Sequence, residues 1–331
     1  MTDSFRRSLA KRALQGIFVV WAAFTLTFAL LYVLPYDAVD VMYNPSDGQT
    51  LTNEQKDNVR EHLGLGGSAF QQYFDQLSRA VHGDFGTSVV SGENVSSLVL
   101  TALPHTALLT VAALSVALPL AAVVAVTAAY TRSKWLGNLL AAVPSIGVSM
   151  PIFLVGLVLL QVFSFRLGWF PPMGDAGLGS IVLPATTLAL PVSAPIAQVL
   201  ITNLEAGMRS PYVVVARAKG ATRWWALIRE VVRNSVLPAV TMLGIVLGNL
   251  LAGAIIVETV FSRPGLGRLT ELAVRNQDFR VLQAVVVVVA ITYVIANYVV
   301  DTVYPLLDPR LRSASDNRST STIKSLQRSI R

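Results

Sequence analysis

The sequence predicts an all-α integral membrane protein of about six transmembrane helices with a large outer segment between the first two, and three observations carry that prediction. Of the 331 residues, 53% are apolar and only 14% charged, with a mean hydropathy of +0.57, far from the balance of a soluble domain. Six runs are long enough to cross a bilayer, which takes about 20 apolar residues at 1.5 Å each. None of those six runs contains Asp, Glu, Lys or Arg.

The runs are 13–35, 106–130, 136–165, 182–204, 236–257 and 281–300. The first follows Arg6, Arg7, Lys11 and Arg12 as a signal peptide would, but it is too long for a signal core and no small-residue cleavage site closes it, so it reads as a retained helix. Basic loops stay on the cytoplasmic side. Placing both termini there puts 18 of the 26 Lys and Arg residues inside. The segment 36–104 would then be the outer one, and its nine acids against Lys56, Arg60 and Arg79 give it a net charge of −6. The basic balance of the chain therefore belongs to the inner face, toward anionic lipid and partner proteins rather than nucleic acid.

Several chemistries are excluded directly. There is no cysteine, hence no disulfide, thiolate metal site or Cys nucleophile. His62, His82 and His105 lie in or beside the outer segment at spacings that match no compact metal motif and read as solvated loop residues. Gly64, Gly66 and Gly67 form a turn without the flanking strand and helix of a phosphate cradle, and no Gly-x-x-x-x-Gly-Lys-Ser/Thr loop occurs. If ATP drives this protein, another chain binds it. A membrane enzyme lacks support because no nucleophile triad or carboxylate pair falls near the spans. An ion-coupled carrier or channel is the other rival, and charge-free spans count against it.

Within the spans, Pro119, Pro144, Pro151, Pro184, Pro191 and Pro195, with Gly244, Gly248 and Gly253, allow two readings. Small residues at helical spacing permit close helix packing. Alternatively, prolines free backbone carbonyls to line a polar pathway together with Ser145, Ser149, Thr186, Thr187, Ser193 and Asn249. Glu205, Glu258 and Asp301 are read as helix-end charges reaching the interface.

The charged island 205–235 holds the densest information. Apolar Val213, Val214, Val215 and Ala216 lead through Ala218 and Lys219 to Gly220, a natural residue to end a helix in the left-handed conformation. Thr222 is placed to N-cap the next helix. From Arg223 onward, Trp224, Trp225, Leu227, Ile228, Val231 and Val232 form an apolar stripe among Arg223, Arg229, Glu230 and Arg233. The island is thus a short helix, a tight turn and an amphipathic helix, whose simplest use is to lie on the bilayer surface.

Ala216, Arg217, Ala218, Lys219, Gly220, Ala221 and Thr222, with Trp224 and the later Leu237 and Pro238, resemble the cytoplasmic Glu-Ala-Ala loop of permease subunits in ATP-binding-cassette importers. Val214 and Val215 stand where that pattern has Glu and Ala. Tyr212-Val213, Arg233-Asn234 and Leu237-Pro238 are similar to the variant found in dipeptide, oligopeptide and nickel importers, with Glu230 in place of a common His. The resemblance covers nearly the whole chain and points to the first permease subunit of that family. It includes Leu34-Pro35, Gly83-Asp84-Phe85-Gly86-Thr87-Ser88, Leu103-Pro104 entering the second helix, and Arg166-Leu167-Gly168-Trp169-Phe170-Pro171. It continues through Leu183-Pro184, Glu258-Thr259-Val260-Phe261-Ser262 running into Pro264-Gly265-Leu266-Gly267, and Leu307-Asp308-Pro309-Arg310. Tyr36-Asp37-Ala38 replaces the usual Gly-Asp-Pro, and the Ser- and Arg-rich tail 310–331 is an extension expected to be disordered.

The resemblance implies the type I importer permease fold in the plasma (inner) membrane of a prokaryote. It implies a second related permease, cytoplasmic ATPase subunits carrying ATP and Mg, and an extracytoplasmic solute-binding protein. The chain itself would be non-catalytic and bind no cofactor. Its substrate would be a dipeptide, oligopeptide, nickel chelate or other small solute, with peptides favoured. Loop 205–235 would be the coupling element, with Trp224, Trp225 and Leu227 as apolar anchors for the ATPase.

Overall fold

The computed structural model describes residues 3–33, 68–175 and 177–307. The calls on 34–38, His62, the 64–67 glycines and the tail from 308 onward fall outside these residues.

Within them the chain is helical. The order is α1 (Asp3–Val33), α2 (Ala69–Val81), α3 (Val95–Tyr130), α4 (Lys134–Ser149), α5 (Ile152–Arg166), α6 (Gly179–Met208), α7 (Pro211–Ala218), α8 (Arg223–Val260), α9 (Leu266–Arg275) and α10 (Phe279–Leu307). Five of these are long and apolar enough to cross a membrane, and the pair α4 and α5 brings the number to six if it is counted as one bent span.

The expected span 136–165 is not a single rod. Its two halves meet at 102°. The break falls at Met150, whose extended backbone (φ −82°, ψ 126°) is what a residue preceding Pro151 must adopt. The second span also starts earlier than predicted. Asn94 caps it by accepting from the Ser96 and Ser97 amides, so Leu103-Pro104 lies inside α3 rather than at its entrance.

α6 is the central helix: 67% of its apolar window is buried, against 11% for α1. It packs most extensively on α3, which presents a stripe of fully buried Ala113, Ala117, Ala121 and Ala125. Alanine at every fourth position removes side-chain bulk from one face, and that is how two membrane helices come close where lipid offers no hydrophobic drive. The glycines of α8 resolve the same way. A Cβ at Gly244 would meet Asn297, at Gly248 Tyr293, and at Gly253 Leu188 and Ile152. They are packing residues against α10, α6 and α5. The proposed pathway hydroxyls bond their own helices, as in Thr187 Oγ1 to Leu183 O and Ser193 Oγ to Leu190 O, both 2.8 Å.

The end of the bundle at Val95 is closed by side chains from distant segments. Ser88 Oγ donates to Asp278 Oδ2 at 2.5 Å, and Arg263 Nη1 donates to Gly174 O and Ser180 Oγ, both 3.2 Å. His105, read as a solvated loop residue, stands in α3 with its Nδ1 3.1 Å from Asp175 Oδ2. Glu258 does not reach an interface. It is fully buried, and its Oε2 accepts from the Gly267 amide at 2.6 Å. The chain turns back after Val260, so that α9 folds over the end of α8 and covers the carboxyl group. Asp301 lies inside α10, which runs on to Leu307.

Candidate functional site: a groove in the 205–235 loop

Pro at the first position of α7 is preorganised for a helix start, and the helix stops at Lys219. Gly220 follows at φ +93°, with its amide bonded to Arg217 O and that of Ala221 to Ala216 O. These bonds satisfy carbonyls that the helix end leaves open. Thr222 Oγ1 then accepts from the Trp225 amide at 3.2 Å and starts α8. Helix, glycine turn and threonine cap stand where the residue pattern placed them.

The second helix differs from the expected amphipathic surface helix in two ways. It does not end before the next span but continues through Asn234, Ser235 and Pro238 to Val260. It also widens into a π-helix over Leu227–Val231. That extra residue in the turn rotates the following side chains relative to an ideal helix. Ala226, Leu227 and Val231 are buried, while Trp224 and Trp225 remain 50% and 46% exposed. Leu227 is therefore a core residue and not an anchor for another protein. Val231 sits directly over Gly207, where a Cβ would come within 2.4 Å of its Cγ1. The loop is thereby seated on the end of α6.

Between α7 and the start of α8 lies an open groove of about 700 Å³ lined by Tyr212, Val215, Ala216, Lys219, Gly220, Ala221, Thr222, Trp225 and Glu230. It gathers Ala216, Lys219, Gly220, Ala221 and Thr222 from the residues singled out by sequence. Arg217 and Ala218 are exposed but do not line it, and Leu237 and Pro238 lie further along α8. The lining also takes in Val215 and Glu230, which depart from the family pattern, and Trp225, one of the three expected anchors. Trp225 and Glu230, five apart, would not share a face of an ideal α-helix, and both line the groove.

Trp224 faces elsewhere. Its ring meets Tyr130 edge-on at 5.3 Å, Arg223 stacks over the same Tyr130 ring at 5.5 Å, and Arg223 Nη2 donates to Ala129 O at 3.2 Å. The start of α8 is thus clamped to the last turn of α3, where the guanidinium also satisfies a helix-end carbonyl. α3 runs from this clamp to Val95 at the other end of the bundle, about 54 Å at 1.5 Å per residue. The groove wall is thereby joined to one long rod. Arg223→Ala is expected to leave α3 and α8 intact but loosen this joint, seen as faster hydrogen exchange at the amides of the first turn of α8. Unchanged exchange there would contradict the clamp.

Membrane-length helices thus pack around a central α6, and one connecting loop is a grooved helix-turn-helix continuous with a span. The chain belongs to the family described as binding-protein-dependent transport system inner membrane component, whose model matches residues 117–313; the model of the N-terminal part of such membrane components matches residues 5–110. It is therefore a multi-pass inner-membrane protein and the permease subunit of an ABC importer. Similar proteins include the glutathione transport system permease protein GsiC of Escherichia coli (strain K12) and that of Shigella dysenteriae serotype 1 (strain Sd197). Each is 33% identical over 303 residues, covering 91% of this chain and 97% of the relative. In fold, the chain is similar to one from an inward-facing structure of the MetNI methionine ABC transporter, with a TM-score of 0.53 at 16% identity, covering 64% of this chain and 96% of that one.

Proposed function

We propose that this chain forms, with a second related permease, the translocation pathway of an ATP-driven importer of di- and oligopeptides. The groove at Tyr212–Glu230 receives a cytoplasmic ATPase subunit. The observation that carries this reading is the continuity of the groove wall with α8 and its clamp to α3, which lets one contact surface move two spans together. Both termini and the 205–235 loop lie in the cytoplasm, in keeping with the distribution of Lys and Arg. An extracytoplasmic solute-binding protein delivers substrate at the opposite end.

The chain itself is non-catalytic and needs no cofactor, and ATP and Mg are held by the partner ATPases. Trp225 and Tyr212 supply aromatic surface at the groove, with Glu230 and Lys219 as its charged groups; aromatic side chains carry much of the energy of protein contacts. A peptide substrate is supported by the relatives' names, since glutathione is itself a small peptide.

Mild-detergent purification from native membranes, with mass spectrometry of co-purifying proteins, is expected to recover phosphate-loop ATPases and a second permease in stoichiometric amounts. Vesicles holding that complex and its binding protein are expected to take up labelled di- and tripeptides only with ATP. Recovery of this chain alone under crosslinking would contradict the assembly. Uptake of nickel chelates in preference to peptides would contradict the substrate class.

A further inference from the structure

We propose that α2 is a lipid-binding element: it lies along the bilayer surface at the Val95 end of the bundle and inserts Phe70, Phe74, Leu77 and Val81 among lipid acyl chains. The helix is started locally, by a capping box in which Ser68 Oγ accepts from the Gln71 amide at 3.4 Å and Gln71 Oε1 from the Ser68 amide at 3.2 Å. It has 13 residues, none of them buried. A helix of that length is marginal in water by itself and takes most of its stability from covering an amphipathic face. Its apolar face therefore needs a surface.

Phe70, Phe74, Leu77 and Val81 follow one another at spacings of four, three and four, which puts them on one side of the helix. A helix on a water-facing surface turns such a stripe to the core. The orientation of α2 is the reverse. Gln72, Asp75, Gln76 and Arg79 line a small pocket against the protein, shared with Asp84 and Arg280, whereas Phe70, Phe74 and Val81 are 77%, 63% and 76% exposed. Tyr73 fixes the level at which this happens. Its hydroxyl lies 2.8 Å from Thr25 Oγ1, and its ring meets those of Phe24 and Phe28 edge-on at 5.9 and 5.4 Å. Thr25 is six residues inside the end of the span Lys11–Leu31, about 9 Å at 1.5 Å per residue. Amphipathic helices at a membrane surface sink their apolar side about 5–10 Å into the boundary of headgroups and acyl chains, the same depth. The exposed stripe is also continuous with the lipid-facing surface of α1, where Leu26 and Leu30 stand exposed. Asp75 and Arg79 balance in charge on the polar side, so apolar burial and not attraction to anionic lipid holds the helix down.

The sequence has no cysteine, so a single introduced thiol carries a unique nitroxide spin label. The test places one label at a time by Phe70→Cys, Phe74→Cys, Asp75→Cys or Leu26→Cys in the full chain, reconstituted in neutral phosphatidylcholine vesicles. All four replace exposed side chains and leave the core untouched. Collision of each label with oxygen, which concentrates in lipid, and with a water-soluble nickel chelate is then read by electron paramagnetic resonance. Labels at 70 and 74 are expected to favour oxygen over the chelate several-fold more than the label at 75 does, as the lipid-facing label at 26 should. Chelate reaching 70 and 74 as freely as 75 would overturn the proposal, because the stripe would then face water. Exclusion of both reagents from 70 and 74 would overturn it as well, because a protein surface and not lipid would then cover the stripe.

Discussion

Gly220→Trp is expected to leave the chain inserted in the membrane while abolishing its recovery with the ATPase. Gly220 holds φ +93° and has nothing within 4 Å of where a Cβ would stand, so the indole would project into the open groove without disturbing the bundle. An L-residue in this left-handed region costs about 1–2 kcal/mol. Added to this is a side chain of about 150–250 Å² placed where the partner must seat. A loss of more than tenfold in co-purified ATPase follows, since a factor of ten needs only about 1.4 kcal/mol. Gly220→Ala separates the two causes, because it carries the same backbone strain with almost no bulk and should give an intermediate loss. Normal assembly and ATP-driven uptake by Gly220→Trp would remove the docking role from this loop.

The second large effect lies at the other end of α8. A Cβ on Gly267 would stand 2.4 Å from Ile255 Cα and 2.8 Å from Glu258 Oε2, whereas the three atoms nearest to one on Gly265 all belong to the Glu258 carboxyl group, the first at 2.2 Å. Backbone cannot yield as a side chain can, so Gly267→Ala is expected to cost about 3 kcal/mol or more by overpacking. It should sharply lower the thermal midpoint of the detergent-solubilised chain. Gly265→Ala should be destabilising too, but combining it with Glu258→Ala should recover part of the loss, while the same combination with Gly267→Ala should not. Such a difference is a pairwise coupling that residues in contact show and distant ones lack. If Glu258→Ala rescued both glycine variants equally, the backbone contact at Ile255 would not be the cause.

The features legible in the linear chain were those that depend on near neighbours. Hydropathy over 20-residue windows located the membrane helices, although their boundaries moved where a local cap intervened, as at Asn94. Gly220 and Thr222 announced a left-handed stop and a new cap because each acts within four residues of itself. Pro151 was visible too, yet hydropathy is blind to direction and could not show that the run around it turns through 102°.

What the chain pattern left undecided were the faces and the long-range meetings. Trp224, Trp225 and Leu227 are equally apolar on paper. In the fold Leu227 is buried at a π-turn seated on Gly207, Trp225 lines the groove and Trp224 meets Tyr130. Glu258 at the end of an apolar run looked like an interfacial charge until Gly265 and Gly267 returned over it. Capping and transfer from water are settled within a turn or a window of chain, so sequence specified them. The surroundings of a particular side chain depend on which distant group arrives opposite it, as the Ala129 carbonyl does for Arg223 and the Asp278 carboxylate for Ser88, and only the packed bundle decided that.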